Sequence, residues 1–348
     1  LRFVRGIIDS EDLPLNVSRE ILQQNRILET IKSQSVKKLL GEFKKLADEA
    51  DKARKSEKPT DAEKKAIEKW NTFIAQFNRP MMEGLYSDFA NRAEIAEIVR
   101  FKTTYKPDVK GDASAADTAK KDAGASAQNA ADKTAGGEWT SFADYVQRMK
   151  SGQKSIYYIT GTDENNLRSS PLLEAYTKKG FEVLIIASDI ADIVIPALGK
   201  YKDFELKSVN RAGSDDELGV DKAEAEKKEK EFKPIVEKIK EALGDKVKEV
   251  KLSKRLSDSP SCIVVDENDP SFQMERMMKA MGQTGVDVKP ILEVNGDHPI
   301  VQKLKDTEDK ERIADISFVL LDQALLVGGE ELKDPADFVK RMNNLLSK

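Results

Sequence analysis

DLPLNVSREILQQN, residues 12–25, is the stretch around which the rest of the chain is organised. A polar loop holding Pro14 runs into a long amphipathic helix here and leaves Asn16, Arg19 and Gln23 near the helix start. Arg19 and Gln23 are four residues apart and share a face of that helix. The first backbone N–H groups of a helix have no partner within it, so a guanidinium beside them is a natural place to hold a phosphate oxygen. The same residues also fit a purely structural part. Ser18 can cap the helix by accepting from a free N–H, and Arg and Gln at this spacing are common on solvated faces. Spacing alone leaves both readings open.

At 348 residues the chain is long enough for two or three domains with their own cores. Hydrophobic residues make up 39% and charged residues 34%, which describes a globular chain with strongly hydrated surfaces. The net charge of −4 is small against 58 basic and 62 acidic residues, and the signs are interspersed, which argues against a nucleic-acid partner held by a broad basic field. A single cysteine, Cys262, excludes an intramolecular disulfide and a cysteine-based metal cluster. It sits in the apolar run SCIVVD and reads as a buried strand residue. The only histidine, His298 in NGDHP, reads as a capping or packing residue. With one His and one Cys, no nucleophile–base pair and no metal site is expected. No apolar run reaches eighteen residues and no signal pattern is present, so no membrane association is expected; the scarcity of cysteine suits the cytoplasm. The chain opens on Leu1, inside what reads as a strand, LRFVRGII, which suggests a piece of a longer protein.

From Ser18 to about Glu49 the spacing of Leu28, Ile31, Val36, Leu39, Leu40, Phe43, Leu46 and Ala47 predicts one long helix. A polar break, DKARKSEKPTDAEK, precedes a second helix started by a capping box, Thr60 with Glu63, whose apolar face is Trp70, Phe73, Ile74 and Phe77. RPMMEGLYSD separates it from a third helix, AEIAEIVRF. Residues 106–137 are rich in Ala, Asp, Lys, Ser and Gly and nearly empty of large apolar residues, so a flexible insertion is expected. An α/β unit follows: a helix in SFADYVQRMK, a strand SIYYIT, a helix with Ser170 as cap, Pro171 in its first turn and Gly180 past its end, a strand at 181–187, a short helix at 189–198 and a strand at 204–209. Strand, helix, strand at this spacing predicts a small βαβ layer with a right-handed crossover. The turn ITGTDENN lacks the glycines and lysine of a phosphate loop.

A polar break at 210–219 is the expected domain boundary. A charged helix at 221–243, strands in KVKEVKLS, SCIVVDE and PILEVN, and a helix opened by Asp297 and Pro299 come after it. Between the last two strands, SFQMERMMKAMGQ carries Phe272, Met274, Met277, Met278 and Met281. Methionine is flexible and polarisable, and Met-rich faces repack around unlike partners; the same spacing also describes an ordinary buried helix face. Residues 308–327 place Ile313, Ile316, Leu320 and Leu326 on one face, broadened by Val319 and Leu325, and end at Gly328 and Gly329. Asp334 and Pro335 start a last helix with a stripe of Phe338, Met342, Leu345 and Leu346. Such a hairpin can pair with a second copy into a four-helix interface or bury its stripe within one subunit.

LRFVRGIIDSEDLPLNVSREILQQN, with the later anchors SFADYVQRMKSGQKSIYYITG, LSDSPSCIVV, MERMMKA, LLDQALL and DPADFVKRMNNLL, resembles the middle and C-terminal parts of the 90-kilodalton heat-shock chaperone family. The resemblance runs, with gaps, to the C-terminus. It implies an α/β and α+β fold: the end of an αβα sandwich, a helical connector, a small αβα layer, and an α+β C-terminal dimerisation domain with a terminal helical hairpin. It divides the chain into a middle domain, 1–209 (catalytic loop and long helix 1–48, connector 49–105, insertion 106–137, small α/β subdomain 138–209), and a C-terminal domain, 210–348. It implies that Arg19 contacts the terminal phosphate of ATP bound, with Mg²⁺, by an N-terminal domain that is not in this chain, with Gln23 and Asn16 steadying the loop. No cofactor is expected on this portion alone, and without that domain it is expected to be inactive. Met274 and Met278 align with exposed positions of the family's client-facing helix, and Ile313, Ile316, Leu320, Phe338, Met342 and Leu345 with a homodimer interface. The end LLSK lacks the acidic tail with which eukaryotic cytosolic members recruit tetratricopeptide-repeat co-chaperones, which resembles the bacterial HtpG-type branch and also fits an organellar member. The resemblance thus implies a client-binding and dimerising part of an ATP-dependent, stress-responsive, cytoplasmic protein-folding chaperone. A nucleotide-independent dimeric scaffold for partly folded proteins is the alternative, and a self-contained α/β enzyme has no motif to build on.

Overall fold

The structure, a computed structural model, describes residues 1–8, 26–106, 139–214, 218, 222–283 and 287–347. Helices and two small mixed sheets make up the chain, the mixture the sequence suggests. Residues 1–8 form no strand. A strand needs a neighbour for its backbone groups, and no described segment pairs with this one; Phe3 instead stacks on Phe77 at 4.7 Å.

Helix α1, Arg26–Arg54, runs past the expected end near Glu49, because Ala47, Ala50 and Ala53 continue the buried stripe through the polar stretch. Helix α2, Asp61–Ser87, starts on the predicted capping box: the Thr60 hydroxyl accepts from the Glu63 N–H, and the Glu63 carboxylate accepts from the Thr60 N–H at 2.7 Å. It continues through RPMMEGLYS, the stretch expected to separate it from the third helix. Pro80 removes one helical hydrogen bond and crowds the preceding turn, a cost of about 3 kcal/mol. Met81, Met82 and Leu85 beyond it are all buried, and each contributes about 1.5–3 kcal/mol, so burial wins. Gly84 lets helix α3, Arg92–Ile98, pack close, since a Cβ there would lie 2.7 Å from Ile95 Cδ1.

The first sheet has the order β1 (Lys102–Thr103), β3 (Val183–Ala187), β2 (Ser155–Gly161), β5 (Phe204–Ser208), β4 (Lys200–Tyr201). The three central strands are parallel and both edges antiparallel. Between β2 and β3 lie α5 (Glu164–Arg168), a 3₁₀ turn (Pro171–Leu173) and α6 (Glu174–Lys179), ending at Gly180 in the left-handed conformation as expected. Helix α4, Phe142–Arg148, precedes β2, and α7, Ala191–Leu198, follows β3. Alternation along β2 divides two cores. Ile156 and Tyr158 face the helical connector with Phe101, Phe142 and Ile195, and Tyr157 and Ile159 face Leu167, Leu172 and Tyr176.

Helix α8, Lys222–Leu243, leads into a second sheet of β6 (Glu249–Leu252), β8 (Ile291–Val294) and β7 (Ser261–Val264), with β8 central, parallel to β6 and antiparallel to β7. Helices α9 (Phe272–Ala280) and α10 (Pro299–Gln302) flank β8, and α11 (Lys310–Val327) and α12 (Pro335–Ser347) close the chain. One face of this sheet packs on α8 and α11 through Ile263, Leu292 and Val294, while Cys262, Val264 and Ile291 join the core that carries Tyr157 and Tyr176. Cys262 is therefore the buried strand residue expected, and His298 caps α10 by accepting the Ile300 N–H on Nδ1 at 3.2 Å.

The two sheets also meet through the backbone. Val265 donates to the Asn210 carbonyl at 3.0 Å and accepts from Ala212 at 2.9 Å. Behind this bridge lies a buried ion pair, Arg255 Nε to Glu293 Oε2 at 3.0 Å. The same guanidinium donates to the Val209 carbonyl at 2.8 Å and the Ser214 hydroxyl at 3.2 Å. Glu174 makes a second tie at the surface, accepting from the backbone N–H groups of Ser257, Asp258 and Ser259 at 2.6, 2.9 and 3.1 Å.

Candidate functional site

Asn16, Arg19 and Gln23 lie outside the described residues. The helix they were expected to open is present from Arg26, and its partner helix α2 holds the turn before α7 through Arg79, which donates to both carboxylate oxygens of Asp189 at 2.8 and 2.6 Å.

Helix α9 carries the methionines. Its N-cap Ser271 accepts the Met274 N–H at 3.1 Å, and its hydroxyl donates to Asp192 in the first turn of α7. Gln273 adds a bond to the Ser188 carbonyl at 3.2 Å. These contacts fix the rotation of the helix. Phe272 is half-buried against the core and Glu275 is buried, so Met274 and Met278 are half-buried as well, while Met277 (36% exposed) and Met281 (61%) point outward. Met274 and Met278 were expected to be the exposed pair. Spacing placed the methionines on a helix correctly but could not set its phase, which two polar tethers to α7 determine.

The terminal hairpin divides differently from the expectation too. Ile316 and Leu320 are 2% and 0% exposed inside a single chain, packed with Phe232, Ile235 and Ile239 of α8 and Ile263 of β7, so they belong to the core of one chain. The cause is that α11 is apolar on more than one side; Val319, Leu321 and Ala324 are buried as well. Ile313 and Leu345 pack against the same core, and Phe338 and Met342 are half-buried. Arg341 clamps α12 onto α11, donating to Asp315 at 2.9 Å and Asp337 at 2.7 Å and stacking over Phe318 at 4.4 Å. Leu326, Val327, Val339 and Leu346 remain exposed, Leu346 by 78%.

A groove of about 760 Å³ separates α9 from α11 and the turn into α12. Phe272, Phe318, Leu321 and Leu325 line its floor, and Asp322 and Glu330 its walls. Burial pushes the Asp322 carboxyl up against the opposing pull of Arg341; burial also raises Glu330, partly offset by Arg276 at 2.5 Å. Nothing in the local sequence marks these two acids, because the groove is assembled from segments as far apart as Asp245 and Arg341.

Among the described residues no group of three or more His, Cys, Asp and Glu side chains is arranged to hold a metal ion, and no helix is long and apolar enough to cross a membrane.

The family model described as "Hsp90 protein" matches residues 1–113 and 128–348. The chain belongs to the Hsp90 family. The gap in the match falls within the expected insertion at 106–137. Chaperone protein HtpG of Treponema denticola is 64% identical over 350 residues, covering all of this chain and 48% of that protein. The HtpG of Treponema pallidum is 50% identical over 351 residues and that of Wolinella succinogenes 43% over 351, again covering the whole chain and 48% and 49% of the relatives. The chain thus spans about half the length of the curated relatives it matches.

Proposed function

We propose that this chain is the middle and C-terminal portion of an ATP-dependent, homodimeric HtpG-type chaperone acting in the cytoplasm on partly folded proteins. The observation that carries the reading is identity of 41–64% to proteins named HtpG over the full length of the chain, together with the DSEDLPLNVSRE segment. In this reading residues 1–209 form the middle domain and 210–348 the C-terminal domain, and ATP and Mg²⁺ bind to an N-terminal domain. Arg19 supplies a positive charge to the terminal phosphate, where a positioned cation stabilises charge in phosphoryl transfer; Gln23 and Asn16 hold the loop. The methionine helix, with Met277 and Met281 outermost and Phe272, Met274 and Met278 behind them, meets clients. The face of the terminal hairpin that stays open, with Val339 and Leu346 beside Phe338, Met342 and Leu345, meets a second copy.

Arg19→Ala in the full-length protein tests this: ATP turnover should fall while the protein stays dimeric in sedimentation, and unchanged turnover refutes the part given to Arg19. A scaffold that holds clients without nucleotide is the second reading, favoured only by the exposed methionines, which need no ATP to act.

A further inference from the structure

We propose that the groove between α9, α11 and the α12 turn docks a short apolar segment of a client that carries a Lys or Arg side chain, with Asp322 as the group that receives the cation. The proposal rests on the client-binding reading above and names the chemistry of what is bound.

The floor is apolar and concave: Phe272 comes from α9, and Phe318, Leu321 and Leu325 come from one face of α11. Side-chain-sized apolar groups can enter it without a change in fold. The charge of the walls then selects among apolar segments. Eight carboxylates line the groove against six cations, and four of the cations are paired with four of the carboxylates, which leaves Asp287, Asp322, Glu331 and Asp334 against Lys246 and Lys333. Arg276 is paired with Glu330, Lys279 with Glu275, Lys289 with Asp245, and Arg341 with Asp315 and Asp337. Among the described residues Asp322 has no hydrogen bond and no cation within ion-pair distance, although it stands beside Leu321 and Leu325 on the floor. A half-buried carboxylate with no hydrogen bond is unfavourable for folding, and burial raises its proton affinity despite the longer-range pull of Arg341 and Lys246. A cationic side chain arriving with an apolar neighbour relieves that cost and fills the floor at once; an anionic segment adds to it. A second copy of this chain is a poor occupant, because a two-fold contact through the groove would bring its surplus carboxylates toward their own counterparts.

The test uses the full-length protein and fluorescein-labelled octapeptides that alternate Leu with Arg, Leu with Glu, or Ser with Arg, read by anisotropy. The Leu/Arg peptide should bind, and the Leu/Glu and Ser/Arg peptides should each bind more weakly by about ten-fold or more. Asp322→Asn should weaken the Leu/Arg peptide by about five-fold while melting no lower than the parent. Asp322→Lys should reverse the preference toward Leu/Glu. Equal affinity of parent and Asp322→Asn for Leu/Arg, or no preference between Leu/Arg and Leu/Glu, overturns the groove. If Met277→Ser/Met281→Ser abolishes binding while Asp322→Asn leaves it intact, the groove fails and the client-binding reading stands. If no peptide binds the parent protein, both fail.

Discussion

Replacing Arg255 by Met should loosen the join between the two sheets. The Arg255 side chain is 0% exposed and its partner Glu293 7%. Without the guanidinium, Glu293 loses its buried ion pair, while the Ser253 hydroxyl at 2.9 Å and the weak Cys262 thiol contact at 3.9 Å remain to it. The Val209 carbonyl, which accepts from Arg255 at 2.8 Å, loses that donor as well. Breaking a buried ion pair by removing one partner costs about 3–5 kcal/mol, and a stranded buried acceptor about 1–3 kcal/mol, so a loss within the first range is expected. Arg255→Met/Glu293→Met removes both charges of the pair, and the double variant should lose at least about 2 kcal/mol less than the sum of the singles. Native-state hydrogen exchange of the amides in β7 and β8 reads the opening free energy of this region directly. A single-variant loss under about 1 kcal/mol, or singles that add to within about 0.5 kcal/mol, would refute the claim that this pair holds the two sheets together.

Leu320→Ala should destabilise the chain by about 3 kcal/mol in urea unfolding while leaving the dimer dissociation constant of the full-length protein unchanged in sedimentation; a much weaker dimer with little loss of stability would return Leu320 to the interface. Met277→Ser/Met281→Ser should barely change the melting temperature while weakening suppression of client aggregation, whereas Met274→Ser/Met278→Ser should lower it, and the reverse order would mean the helix is rotated. Burial by itself would raise the Glu174 carboxyl, but the Ser259 hydroxyl and three backbone N–H groups outweigh it and hold the carboxyl below its ordinary value of 4.5. A depressed carboxylate stabilises the fold fully above that ordinary value and loses the contribution as pH falls through the lower folded value. The stability deficit of Glu174→Gln should therefore be constant near neutral pH and shrink below about pH 4.5; a deficit that does not change with acid would show that the carboxylate's charge is not what holds residues 257–259.

What could be read in the sequence was local. The Thr60–Glu63 box, the Ser170 and Pro171 start, the Gly180 end and the alternating strands are all set by residues within a few positions of each other. The extension of α2 through Pro80 was not legible, because it depends on Met81, Met82 and Leu85 finding a core made elsewhere. The phase of the methionine helix depends on Ser188 and Asp192, some eighty residues earlier. For α11, too many apolar residues satisfied the stripe, and only the positions of α8 and β7 decide that Ile316 and Leu320 go inside. Arg255 and Glu293 carry no mark of their pairing across 38 residues, just as Arg100 carries none of its burial against Asp51 at 2.6 Å. The loop with Arg19 lies outside the described residues, and the part proposed for it rests on similarity to the family alone.

Small-angle scattering of the full-length dimer, with and without a non-hydrolysable ATP analogue, tests most directly whether these elements belong to a nucleotide-driven chaperone. The account predicts that the analogue draws the two arms together and reduces the maximum dimension, and that Arg19→Ala diminishes the change. A scattering profile that is the same with and without the analogue would contradict it and leave the nucleotide-independent scaffold.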